Sequence, residues 1–390
     1  METYKNDILS LGERYAREQL ELLVRLCNCN SYSYNKEGVD RVAGMLLQEL
    51  AGILPLHETR DEKELGNHHI LKTAAAEKNQ AIYLVGHIDT VFPPDYPFRE
   101  SRQEEDRLIG PGSGDMKGGL VVMVYALKVL AYLGILEKFP ITMIMNSDEE
   151  IGSVSSRHIF ELEREKARLC LTGECAGLSN EIVVSRNGKM GARIDSFGQG
   201  RHVGHGAAGK ASAIIEIAHK IIGVESLNGT LPGVDINIGT VEGGLSSNTV
   251  PESASCLLDI RWRGEDQREK VLEKIAAITA ESVQSGSRSE FRVMNYRPAM
   301  PETPHTPGLV QILRQLADDL GQEIGTEHRR GTSDANFFGS AGVPTLDGWG
   351  PVCEHDHTDR EYIRISSLNE RTILLSLFLA EYGRRAGMIP

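Results

Sequence analysis

Two short runs constrain the fold of this chain more than any other feature. AIYLVGHID (residues 81–89) and PITMIMNSD (140–148) are almost continuously apolar, and each ends on an acidic residue. A strand covered on one face alternates apolar and polar side chains, whereas a run that is apolar at every position needs cover on both faces. A third run, ARLCLTGE (167–174), and helix-like segments between the three complete an α/β pattern. The expectation is a mixed central sheet with helices on both faces. Such sheets bind ligands beyond the carboxyl ends of their strands, so the carboxylates there become candidates for function.

Between about residues 181 and 295 the pattern changes. Strand (190–198), helix (208–224), strand (234–242), strand (253–262), helix (265–286) and strand (289–295) follow one another, which is the ferredoxin-like β-α-β-β-α-β order. This predicts an inserted domain over 181–295, with 1–180 and 296–390 forming one discontinuous domain around it. The chain re-enters the first domain through RPAMPETPHTP and closes with an amphipathic helix over 366–385.

Charge and composition narrow the function classes. The chain has 42 Lys+Arg against 55 Asp+Glu, a formal net charge of −13, and no long basic run. Binding to a phosphate backbone needs a positive footprint, so nucleic acid is excluded as a partner and a small molecule or peptide is expected. Six cysteines without a CxxC spacing do not make a disulfide framework and suit a reducing cytoplasm. The N-terminal METYKNDILSLGERYAREQLELL lacks the uninterrupted apolar core of a secretory signal. The stretch from Gly118 to Leu136 carries Lys128 at its centre, which argues for a buried helix and against a membrane span.

Four clusters carry chemistry. At the first strand end, His87 and Asp89 share a face, the spacing of an imidazole and an orienting carboxylate. Gly110 to Gly119, GPGSGDMKGG, satisfies neither GxGxxG nor GxxxxGK[ST]. Its glycines form either a flexible surface loop or a turn that presents the Asp115 carboxylate, and not a phosphate cradle. Asp148, Glu149 and Glu150 follow the second strand and Glu174 ends the third; such carboxylates form either a solvated acidic loop or, with cations, a metal site. The last cluster, EHDHTDREY, offers His355 and His357. Two histidines with three or more carboxylates are the N/O donor mix of zinc, cobalt or manganese, with one carboxylate bridging two ions.

In this order and spacing, GHIDTVF, GPGSGDMKGG, SDEEIG, TGE and HTDREYI resemble the zinc-dependent aminoacylase/carboxypeptidase family, which includes glutamate carboxypeptidase, acetylornithine deacetylase and succinyl-diaminopimelate desuccinylase. The resemblance spans about residues 10 to 385. It implies a zinc-peptidase-like catalytic domain interrupted by a ferredoxin-like lid that forms a homodimer. It also implies two divalent ions, one held by His87, Asp115 and Glu174 and the other by Asp115, Glu150 and His357, with Asp115 bridging. Asp89 then orients His87, a cis peptide joins Asp115 to Met116, and Glu149 is the general base that deprotonates a bridging water. In the lid the resemblance makes His202 the group that polarises the scissile carbonyl, in its own or a partner subunit's site, with His205 the competitor. Asn248, Arg261 and Arg297 match groups that hold a substrate carboxylate, although Arg261 also suits a strand-end ion pair. Thr332 and Ser333, in RRGTSDANFF, line or brace the pocket with Asp334. One departure is clear: the lysine that glutamate carboxypeptidase carries shortly after the TGE-type motif has no counterpart in ECAGLSNEIVV. The implied activity is hydrolysis of an amide beside a free carboxylate. The alternatives are an N-acyl amino acid deacylase and, more remotely, a metal-binding scaffold without catalysis.

Overall fold

The computed structural model describes residues 2–206 and 209–389, and the side chain of His205 lies outside what it describes. The chain divides into two compact units, one of residues 1–185, 302–329 and 333–390, the other of 186–301 and 330–332.

The first unit is built on a six-stranded sheet: β1 (Leu56–Arg60), β2 (His68–Lys72), β3 (Ala81–His87), β4 (Ile141–Asn146), β5 (Ala167–Thr172) and β6 (Thr345–Leu346), in the order β1-β2-β4-β3-β5-β6. The pairs around β3 and β5 are parallel and the two involving β2 are antiparallel. Every residue of β3 and β4 is buried. Alternation along β3 explains the unbroken apolar run: Ile82 and Leu84 join the larger core, whereas Ala81, Tyr83 and Val85 join a separate one with Phe160, Phe337 and Phe338. Helices therefore cover both faces, as the runs require.

Helix α1 (Glu2–Cys27), helix α2 (Lys36–Leu50), helix α3 (Gly118–Tyr132) and helix α4 (Ile365–Arg385) line the larger core. α3 is apolar almost all round because it sits inside, and it stops at Tyr132, short of the expected Leu136. Lys128 reaches the Glu49 carboxylate at 2.8 Å, so its charge is paired at the edge of that core. No helix among the described residues is long and apolar enough to cross a membrane. All six cysteines are unpaired thiols.

The second unit is a four-stranded antiparallel sheet of Val234–Gly243, Ser253–Trp262, Gly188–Phe197 and Arg288–Arg297, in that spatial order. Helices Ala213–Glu225 and Glu265–Ala280 pack on it through Ile217, Val224, Val271 and Ile275. The order of strands is that of a ferredoxin-like layer. Two helix ends differ from the sequence reading. The first begins at Ala213, since residues 209–212 just before it are not helical, and residue 208 is outside those described. The second ends at Ala280 because Glu281 is already extended at φ −78°, ψ 124°.

One contact in the first unit brings the ends of two segments together. At Gly119, in the first turn of α3, a Cβ atom would lie 1.6 Å from the carbonyl oxygen of Gly173, just beyond β5. Backbone thus meets backbone between the residues that follow Asp115 and precede Glu174. Gly119→Ala has no space for its methyl group, and we expect a loss of at least about 3 kcal/mol, at the upper end of overpacking costs. Gly44→Ala, at an exposed α2 position with nothing within 4 Å of the new carbon, should leave stability unchanged or raise it by up to about 1 kcal/mol. Urea unfolding of the two variants checks both outcomes.

Candidate metal centre

The strand ends and the loops that follow them bring five side chains together. β3 ends on His87, the glycine loop before α3 presents Asp115, the turn after β4 carries Glu150, and Glu174 follows β5. His357 lies in the loop between two short strands, Cys353–Glu354 and Tyr362–Arg364, of a separate four-stranded sheet. Two groups have donor atoms within 4.8 Å of one another: His87 with Asp115 and Glu174, and Asp115 with Glu150 and His357. Asp115 belongs to both. One of its carboxylate oxygens lies 3.0 Å from His87 Nε2 and the other 3.0 Å from His357 Nε2. Glu150 approaches His357 Nε2 at 3.2 Å, and Glu174 lies 3.9 Å from His87 Nε2. The peptide bond from Asp115 to Met116 is cis.

The electrostatics follow from this packing. Burial alone raises the Asp115 carboxyl, but the two imidazoles outweigh it and hold it well below the usual range. Burial and the neighbouring Asp115 charge push Glu150 up to about 8 against the opposing pull of His357. Hydrogen bonds to Asp115 and Glu150 raise His357 to about 11. For His87, burial favours the neutral ring, yet the bonds to Asp115 and Asp89 prevail and raise it well above its ordinary value. Oε1 of Glu150 is buried without a hydrogen-bond partner. A divalent cation fits this donor set: it would offer a partner to a buried carboxylate oxygen and replace the protons that offset the crowded carboxylates, and N/O donors suit zinc or a similar ion.

Asp89 does more than its spacing from His87 suggests. His87 Nδ1 is 3.0 Å from the Asp89 main-chain oxygen and 3.4 Å from its carboxylate. The same carboxylate accepts the main-chain N–H groups of both Glu149 and Glu150 at 3.2 Å, and the Ser33 hydroxyl at 2.6 Å. One buried side chain therefore links the first strand end to the acidic turn. Asp148 holds the far side of that turn, accepting the N–H groups of Ser155 and Ser156, and Asp334 accepts from Asn146 at 2.8 Å. Ser33 had no signal in the sequence, since CNCNSYSYN follows no period or motif.

The remaining candidates are dispersed. Ser333 is buried in the first unit and donates to Asp347 at 2.8 Å. His202, Asn248, Arg261, Arg297 and Thr332 belong to the second unit. There His202 accepts the Gly204 N–H and Asn248 accepts the Ser246 hydroxyl, both at exposed positions. Arg261 pairs with Asp259 at 2.9 Å and donates to the Arg330 carbonyl, the ion-pair arrangement that its strand position also suits. Arg297 is buried. His355 and His357 both have positive φ, but only His357 enters a donor group.

Known proteins match this chain over most of its length. The family model described as peptidase family M20/M25/M40 matches residues 83–381. Carboxypeptidase G2 of Pseudomonas sp. strain RS-16 is 23% identical over 372 residues, covering 93% of this chain and 89% of that protein. Acetylornithine deacetylase of Edwardsiella ictaluri is 25% identical over 392 residues, covering 91% of this chain and 95% of that protein. Among solved structures, the aminopeptidase PepT from Bacillus cereus matches with a TM-score of 0.75 at 21% identity, over 94% of this chain and 98% of that one, a likeness of fold.

A consequence for cation binding follows from the sign of these shifts. At pH 7, below about 8 for Glu150 and about 11 for His357, both groups hold protons in the metal-free protein. A cation must displace them. Zinc uptake at pH 7 should therefore release at least about one proton per molecule, and the apparent affinity should rise between pH 6 and 8. Calorimetry in buffers of different ionisation enthalpy reads the release directly; uptake without proton release would contradict this electrostatic picture.

Proposed function

The chain belongs to peptidase family M20/M25/M40 and is a hydrolase; on that premise we propose that it cleaves an amide bond beside a free carboxylate at a centre of two zinc ions. The observation that carries this reading is the doubled geometry at Asp115, whose two oxygens face two different imidazoles, each with a further carboxylate alongside. In this reading His87, Asp115 and Glu174 hold one ion, and Asp115, Glu150 and His357 hold the other. Bound ions supply Lewis acidity, drawing electron density from the amide carbonyl and acidifying water.

The chain's own residues do the rest. Glu149 takes the proton from the attacking water and returns it to the leaving amine. Asp89 fixes the His87 ring and, through the main-chain N–H of Glu149, the position of the base. His202 donates to the developing oxyanion, as such donors do wherever charge builds in an acyl-transfer transition state. Arg261, Arg297 and Asn248 grip the substrate carboxylate, a task suited to a guanidinium fork. Thr332 and Ser333 brace the pocket wall.

The match to carboxypeptidase G2 over nearly the whole chain supports the peptidase reading. A similar match to acetylornithine deacetylase favours a second one, removal of an acyl group from an N-acyl amino acid. Both use the same centre and differ in the leaving group. The missing lysine after Glu174 argues against a glutamate side chain as the preferred determinant.

Two adjacent residues give the sharpest test of the roles. Glu149→Ala should keep both ions and lose about 10²- to 10⁴-fold in kcat, the range for a general base. Glu150→Ala should lose an ion, measured by elemental analysis after dialysis. Equal metal loss in the two variants would overturn the assignment. Assay of zinc-loaded protein against dipeptides and N-acyl amino acids, with released amine as readout, separates peptidase from deacylase; no turnover on either set would favour the scaffold reading.

A further inference from the structure

Asp115 can serve two imidazoles only if neither of its oxygens is taken up by its own loop. A carboxylate in a glycine-rich turn normally finds main-chain N–H groups close by and bonds to them. Here those N–H groups are engaged elsewhere. The Glu361 carboxylate is fully buried, and its Oε1 accepts the N–H of Gly114 at 2.8 Å and of Asp115 itself at 3.1 Å. Oε2 accepts the N–H of Gly112 at 3.1 Å. The Glu361 main-chain carbonyl accepts the N–H of Gly110 at 3.1 Å, which makes four loop donors held by one residue.

The other side of the loop is held by a buried lysine. Lys117 is fully buried, and its ammonium donates to the carbonyls of Leu26 and Cys29 at 3.0 and 3.1 Å and of Pro111 at 3.4 Å. Loop N–H groups point to the buried Glu361 carboxyl, and the buried Lys117 side chain gathers carbonyls from the loop and from the end of α1. The loop has little room to relax otherwise, since a Cβ on Gly114 would meet Cys353 Cβ at 2.4 Å. Antiparallel pairing of Tyr362 with Ile109 fixes Glu361 beside the start of the loop.

We propose that Glu361 is a positioning residue for the hydrolytic centre: by taking the N–H groups of Gly112, Gly114 and Asp115, it keeps both Asp115 oxygens turned toward His87 and His357. The inference rests on the two-ion reading of the site. Glu361 is itself no ligand and acts through Asp115. Its reach from the His357 loop to the Asp115 loop also ties together the two chain segments that share the second ion. A glutamine cannot substitute, because it offers one acceptor oxygen and turns an NH2 group toward N–H donors.

The test uses the whole protein and cobalt(II), whose visible absorption reports ligand geometry without turnover. In Glu361→Gln, cobalt affinity should fall about 10- to 100-fold, the range for residues that hold metal ligands in place. The visible bands should shift, and kcat should drop at least about tenfold while KM changes less than about twofold, the signature of an interaction needed in the transition state. A residue that merely stabilises the fold would lower the urea midpoint and leave the spectrum and affinity of the folded protein at wild-type values; that result overturns the proposal. Should Glu361→Gln not fold, Glu361→Asp decides by the same measurements, since it keeps the carboxyl group and shortens the reach, and a wild-type spectrum and affinity there overturn the proposal equally. Wild-type protein that takes up no cobalt would instead remove the two-ion reading, and the proposal with it.

Discussion

The structure is organised around a negative charge at Asp115 that burial opposes and two imidazoles sustain. Around it lie Glu150 and Glu174, and like charges this close raise one another's cost of ionisation. The metal-free protein meets that cost with protons. A pair of divalent ions would meet it more completely, and the net charge of −13 takes on a local meaning in that light. Asp115, Glu149, Glu150 and Glu174 are four of those charges, and two divalent ions would offset four. The acidity that argues against a nucleic-acid partner is partly concentrated where a two-ion centre would need it.

The fold supplies the geometry through strand ends. β3 and β4 are buried on both faces, so their direction and register are fixed, and the residues just beyond them inherit that precision. The contact between Gly119 and Gly173 sets how closely Asp115 and Glu174 can approach, because it leaves no side chain between α3 and the end of β5. Asp89 then transmits the position of β3 to the turn after β4 through two main-chain N–H groups. The site is a set of loops, and two of them are tied to rigid elements by buried polar side chains, the Asp115 loop to the end of α1 by Lys117 and the acidic turn to β3 by Asp89.

Much of this was legible in the sequence because it rests on local patterns. Unbroken apolar runs required a sheet covered on both faces, and the order of strands and helices in the second unit followed from their periods. Ligand candidates were legible because acidic and imidazole side chains stood where such strands end. What stayed hidden was long-range. Ser33 meets Asp89 across 56 positions and Glu361 meets Gly112 across 249, and no period or spacing connects such partners. Lys117 shows in the sequence only as the residue standing where GxGxxG needs its third glycine; its contacts with the end of α1 need the folded chain. One helix end was misplaced where an extended residue, Glu281, cut the pattern short.

The central claim is that Asp115 bridges two ions. Anomalous X-ray diffraction from crystals of the zinc-loaded protein, collected on both sides of the zinc edge, tests it most directly. The account predicts two peaks about 3.5–4 Å apart, flanking Asp115, one beside His87 and Glu174 and the other beside Glu150 and His357. A single peak at full occupancy, or two peaks that do not share Asp115, would contradict it.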